Sequence, residues 1–275
     1  TSMRGPMPVG EGGAYPKDDF REGYSKSLYH ETFKDQFSIT REMAKDNKIL
    51  DINAEATGFT SGFYRGQEDF AAAIVGNGGS TAFNWRGKSF KSDAADGVAL
   101  FSTAHPSITG EYITQSNAFS DAFSVDALAA AETAMQDFRD DNGVVLNISP
   151  DTIVIPNLYD LKRDVFAAIG ADKDPATANN GSNFQFGRWN VIVWPYLNAH
   201  IGSDTKPWFL LDSRYNKTAK GLIWFDREKL EVTPWIDRNN DNYVWNGYAR
   251  WSAGANNWRA ICRAGITGGT TLINA

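Results

Sequence analysis

Cysteine is all but missing from this chain: one residue, Cys262, stands among 275. No disulfide can therefore close within it, and a lone thiol beside Ala260 and Ile261 reads as a small buried hydrophobe. Histidine is nearly as scarce, with three residues. His30, His105 and His200 lack a neighbouring His or Cys at metal-ligand spacing, so the sequence carries no metal motif. No uninterrupted apolar run approaches the roughly 18–20 residues of a membrane span. Cations are not in excess either, since 27 Lys and Arg face 33 Asp and Glu for a net charge of -6. Tight wrapping of nucleic acid needs clustered Lys and Arg, so contact with DNA is expected to be weak and non-specific. The first residues, TSMRGPMP, lack the basic and then apolar regions of a secretory signal, and export by that route is not expected.

Enzyme signatures come close and fail. Gly87, Lys88 and Ser89 match the end of a phosphate-binding loop, but the glycine required five residues before Gly87 is Ala82. Gly76, Gly78 and Gly79 do not complete a dinucleotide fingerprint, because Thr81 takes the last glycine position. Asp237, Asn239 and Asp241 imitate the first ligands of a calcium loop, yet Asn242 replaces its glycine and Tyr248 its bidentate glutamate. A polar hairpin turn is the better reading. With no GxSxG elbow and no HExxH helix, no catalytic residue, cofactor or metal ligand is assigned.

What the chain does have is patterning of both periods. Residues 1–23 read as an exposed loop or arm, and alternation from Tyr24 to Ile39 then sets Tyr29, Phe33, Phe37 and Ile39 on one face of a strand. So little core lies nearby that Tyr29, Phe33 and Phe37 are assigned to a subunit interface. With Ser38 or Thr40 as its cap, one helix over 40–75 would carry Ile49, Ile52, Ala56, Phe59, Phe63, Phe70 and Ile74 on one stripe. Such a helix would be roughly 54 Å long. Gly58, Gly62 and Gly66 share one flank of it, marking either close approach of another backbone or a place where the helix flexes. Further on, Ser124 or Asp121 caps a helix reaching about 141. TIVIP at 152–156 reads as a buried strand. Asn157 caps a helix with Leu158, Leu161, Val165, Phe166 and Ile169 inward. Residues 171–187 read as a surface loop, followed by strand-like runs at 190–197, 207–212, 221–226, 229–236, 243–251 and 257–266.

Four phrases recur in order: FSITREM at 37–43, LFSTAHP at 100–106, LNISPDTIVIPNLYDL at 146–161 and WNVIVWPYL at 189–197. Together they make the chain resemble the major head subunits of Mu-like tailed phages, across about residues 10–266. The resemblance implies an α+β, Hong Kong 97-like capsid fold. It assigns 1–38 to an E-loop region with a short or trimmed N-terminal arm, 39–118 to a peripheral domain with a long spine helix, 119–228 to an axial domain, and 229–275 to a return into the peripheral domain. It further implies a virion protein, assembled in the cytoplasm of a bacterial host, whose copies form hexamers and pentamers of an icosahedral head around double-stranded DNA. Scaffold and portal would take part in assembly, the resemblance leaves open whether a decoration protein is a further partner, and no membrane is involved. The alternative from another class is a carbohydrate-binding module in which Trp194, Trp208, Trp224, Trp235 and Trp245 form a sugar-stacking platform, against which stands their burial in a core or interface.

Overall fold

The computed structural model describes residues 6–17, 23–46, 49–108, 114–170, 172, 182–202, 204 and 206–273, without the side chains of 49–53. Its elements are β1 (Glu31–Ile39), α1 (Arg41–Lys45), α2 (Ile49–Gly76), β2 (Ala82–Trp85), β3 (Lys88–Lys91), α3 (Val125–Gln136), β4 (Thr152–Ile155), α4 (Tyr159–Gly170), β5 (Asn190–Val193), β6 (Trp208–Leu211), α5 (Ser213–Ala219), β7 (Leu222–Asp237), β8 (Asn242–Ala255) and β9 (Ile261–Ala264). They build two hydrophobic cores on a four-stranded and a three-stranded sheet, with β2 and β3 paired as a separate hairpin.

The first core surrounds a four-stranded sheet of order β5-β4-β6-β9, in which β4 pairs parallel with β5 and antiparallel with β6. All four residues of β4, TIVI, are buried, as a strand covered on both faces requires. Ser124 accepts from the amide of Ala127 and starts α3, which presents Leu128, Ala131 and Met135 to this core. The helix stops at Gln136, earlier than expected, because Asp137–Gly143 turns back on itself and Asp140 caps the amides of Asn142 and Val144. Along α4 the inward residues are Leu161, Val165, Ala168 and Ile169, whereas Phe166 lies about 100° round the helix from Val165 and is exposed, contrary to expectation. Asn157 does not cap α4; its amide nitrogen donates to Asn198 and its side-chain oxygen accepts from Lys162.

The second core lies between α2 and an antiparallel sheet of order β1-β8-β7. The two runs read at 221–226 and 229–236 are one strand, β7, with register shifts at Asp226/Glu228 and Glu228/Glu231. The expected single helix over 40–75 is two: Thr40 caps α1, which closes at Asp46, and α2 begins at Ile49. At 28 residues α2 is roughly 42 Å long. β1 starts only at Glu31, and residues 23–30 run beside the body without pairing, fastened by the part-buried Lys26–Asp93 ion pair and by Leu28 against Gly254. β9 pairs antiparallel with β6 in the first sheet, whereas β7 and β8 lie in the second.

Both α2 and β8 serve the two cores at once. Phe63, Phe70, Ala73 and Ile74 of α2 belong to the second core, and Ala72 and Val75 to the first. On β8 the division falls between Ala249 with Trp251 and Ala255.

Candidate functional site

Phe33 and Phe37 alternate along β1 and turn toward α2, as the strand pattern dictates. The expectation that they lack a local core is corrected here. Phe33 stacks on Trp251 of β8 at 3.7 Å between ring centroids and meets Trp85 edge-on at 5.9 Å. Phe37 stacks on Trp245 and packs against Phe59, both at 4.9 Å. These partners lie far away in sequence, so no local pattern announces them. Tyr29, by contrast, is 81% exposed.

A groove of about 450 Å³ opens between β1, α2 and the β2–β3 hairpin, with Phe33, Gly62, Phe63, Gly66, Trp85 and Arg86 among its lining. Within the chain the glycine flank is not a site of close backbone approach. A Cβ on Gly58 or Gly62 would meet nothing within 4 Å, and one on Gly66 would touch only the Arg86 guanidinium at 3.5 Å. The close approach is made instead by Gly247 of β8, where a Cβ would lie 2.6 Å from Phe63 and 2.7 Å from Phe59. Sequence reading misses it because a single strand glycine carries no periodic signal.

The LFSTAHP phrase supplies a buried polar junction. His105 is 1% exposed, stacks on Trp258 at 4.1 Å, and places Nδ1 at 2.7 Å from Asp96 and Nε2 at 3.0 Å from Asn117 Oδ1. The amide of Asn117 is oriented by its partners: Nδ2 donates toward the carbonyls of Leu100, Trp258 and Ile261, while Oδ1 accepts from the Ser102 N–H. Both ring nitrogens of His105 therefore face acceptors. One side chain thus joins residues 100–105 to 258–261, and each bond it makes satisfies a group whose burial would otherwise be costly.

The failed enzyme motifs have plain structural places. Arg86 and Gly87, at φ 47 and 83, are the central residues of the two-residue β2–β3 turn, a conformation with two positive φ values that suits a tight hairpin. Asp237 and Asn240 accept from the amides of Asn239 and Asn242 at the β7–β8 turn, and Asp241 pairs with Arg41. Among the described residues no three His, Cys, Asp or Glu side chains gather to hold a metal, and no helix is long and apolar enough to cross a membrane. Cys262 is fully buried, and desolvation pushes its thiol up to about 12. Desolvation likewise draws the Arg263 guanidinium down, against the pull of Asp204.

Nor do the five tryptophans share a platform. Trp208 is fully buried in the first core and Trp194 packs beside it, donating to Glu68 of α2. Trp224 and Trp245 turn toward the second core, whereas Trp235, opposite Val244 in the ladder, projects from the other face of the sheet.

This fold is found in viral shells. The chain resembles that in the capsid of Myoviridae Phage XM1 (14% identity, TM-score 0.55, covering 96% of this chain and 82% of that one). It is also similar to the capsid of an empty GTA particle (11%, 0.54, 96% and 81%) and to a chain of Gordonia phage Cozz (11%, 0.52, 100% and 80%). No curated protein sequence matches. The model of the phage capsid protein family matches residues 24–264, and the chain belongs to that family. As a phage capsid protein it has a structural and not an enzymatic role and is part of the virion.

Proposed function

We propose that this chain is the major head subunit of a tailed phage of the Mu-like kind, with a Hong Kong 97-like arrangement in which α2 is the spine. Residues 1–38 then form the E-loop region, 39–118 the peripheral domain, 119–228 the axial domain, and 229–275 the return, with β9 lent to the axial sheet. Its copies form hexamers and pentamers that close around double-stranded DNA. They assemble in the bacterial cytoplasm with scaffold and portal, and a decoration protein can be added outside. A net charge of -6 suits weak contact with the packaged DNA.

The observation that carries the reading is a second core that the described residues leave unfinished. Its groove beside α2 stays open, the Gly58 and Gly62 positions face free space, and Tyr29 stands clear of the body. A neighbouring subunit completes this region. Tyr29 contacts it directly, Phe33 and Phe37 meet it through the parts of their rings left uncovered, and Gly58, Gly62 and Gly66 admit its close packing or let the spine flex. Negative-stain electron microscopy of the purified protein should show hexamers, pentamers, sheets or closed shells that accumulate with concentration. A strictly monomeric protein across the micromolar range, also with scaffold and portal present, overturns the proposal.

A further inference from the structure

The β1–β8 ladder stops at Glu31↔Trp251, yet β8 runs on to Ala255. From Ser252 to Ala255 it is paired on its β7 side alone, with Phe225 to Leu222. Such an open edge is a template for another strand. Residues 23–30 already lie along it. Carried on past Glu31, the register of the ladder sets His30 opposite Ser252, Tyr29 opposite Ala253, Leu28 opposite Gly254 and Lys26 opposite Asn256. The strap keeps this order without pairing. Leu28 fills the space over Gly254, its Cδ2 2.7 Å from where a Cβ would stand. Lys26, Leu28, His30 and Asn256 line one cavity of about 330 Å³ with Ile223 and Phe225.

The first position at which pairing fails is marked by two orphan atoms. Nδ1 of His30 and the hydroxyl of Ser252 are both buried without a hydrogen-bond partner, a state that costs stability. Directly opposite residues of an antiparallel ladder hold their Cβ atoms about 5 Å apart, which puts the Ser252 hydroxyl within reach of the ring. The strap is drawn instead to the neighbouring loop. Lys26 donates to the Asp93 carboxylate at 2.9 Å and to the Asp93 carbonyl, with its side chain 8% exposed. That loop is anchored elsewhere: Asp93 bridges to Ala99, and the Ala95 N–H donates to the Asn256 carbonyl at 3.0 Å. Residues 27–30 therefore span the interval between the loop and β1 with no ladder of their own.

We propose that residues 26–30 are a strap poised to extend β1 along β8, and that the Lys26–Asp93 pair holds it open. Side chains alternate along a strand, so closure leaves Leu28 and His30 on the Gly254 and Ser252 face and turns Tyr29 to the other. There Tyr29, now 81% exposed, comes to lie beside Ala253 and its ladder partner Trp224, both packed against the second core. An ion pair three residues away thus decides whether this tyrosine is presented to solvent or covers its own chain. The device belongs to the single chain and does not rest on the shell reading.

Hydrogen–deuterium exchange of the unassembled subunit at one fixed pH tests it. Lys26→Met and Asp93→Asn break the pair from opposite sides. Each should slow exchange in peptides covering 24–31 by about fivefold, the size of roughly one added hydrogen bond, although an ion pair has been removed. Peptides of α3, which lies in the other core, should keep native rates and so show that the fold is intact. Unchanged or faster exchange of the strap beside a native α3 overturns the proposal, because the pair is then the strap's fastening and not its stop. A thiol pair reads the same closure by distance. With Tyr29→Cys and Ala253→Cys in place, oxidation should form the disulfide about fivefold faster once Lys26→Met is added, by the same gain of one hydrogen bond. Equal rates with and without Lys26→Met also overturn it.

Discussion

The two cores are built from different materials and finished to different degrees. The first buries Trp208, Phe209 and Leu210 at 0% exposure, in a mixed sheet whose central strands are covered on both sides. The second is an aromatic stack in which Phe63, Phe70 and Trp251 are buried while Phe33, Phe59, Phe90 and Trp224 stay half-covered, on a sheet with one helix across it. The difference teaches a division of labour. The first core is closed among the described residues, and the second is left partly open, which is where the proposed assembly would complete it.

Phe209→Ala is the strongest way to break that contrast. Emptying a site at 0% exposure should cost about 3–5 kcal/mol in urea unfolding; a loss below 1 kcal/mol would mean that the first core is not the chain's main support. Asn117→Ala, beside the same core, should cost about 3 kcal/mol, because it leaves His105 and several carbonyls without their partner. Its diagnostic sign is faster hydrogen exchange around 100–105 and 258–261 together. Phe33→Ala should cost the isolated subunit about 1–2 kcal/mol, less than full burial of such a ring would imply. If neighbours complete the second core, the same variant should lower the yield of assembled particles by more than its unfolding curve accounts for. Equal losses in both measurements would remove Phe33 from the interface.

Gly62→Ala sharpens the comparison with the smallest energetic effect. Nothing lies within 4 Å of the added methyl group, so relief of the helix penalty should stabilise the subunit by up to about 1 kcal/mol. Particles should nonetheless stall in a smaller, immature form or fail to close. Shells of normal size and yield would leave the glycine flank without a role in assembly.

Legibility in the sequence followed the range of the interactions. TIVI and the helix after it could be read because a buried strand and a helical stripe are local patterns, and Ser124 and Thr40 cap within three residues of themselves. The second core could not be read. Phe33, Phe63, Trp85 and Trp251 come from four separate stretches, so a strand that seems to lack support is in fact packed beneath three of them. Asn117 gave no signal because its partners are mostly backbone carbonyls contributed by folding. Arg86–Gly87 gave a partial signal that the sequence itself refuted at Ala82: a glycine suited to a hairpin turn happens to precede Lys and Ser. The end of α1 at Asp46 gave no signal, because it carries neither glycine nor proline and the apolar stripe begins only at Ile49.

Because α2 and β8 each carry residues of both cores, the two cores are joined by continuous secondary structure and not by a linker. On α2 the contacts interleave, with Ala72 and Val75 turned to one core and Ala73 and Ile74 to the other, so one helical turn is shared between them. A substitution in that turn is therefore felt on two sides at once: a side chain made larger at Ala72 or Ala73, both at 0% exposure, would crowd one core and shift the helix against the other.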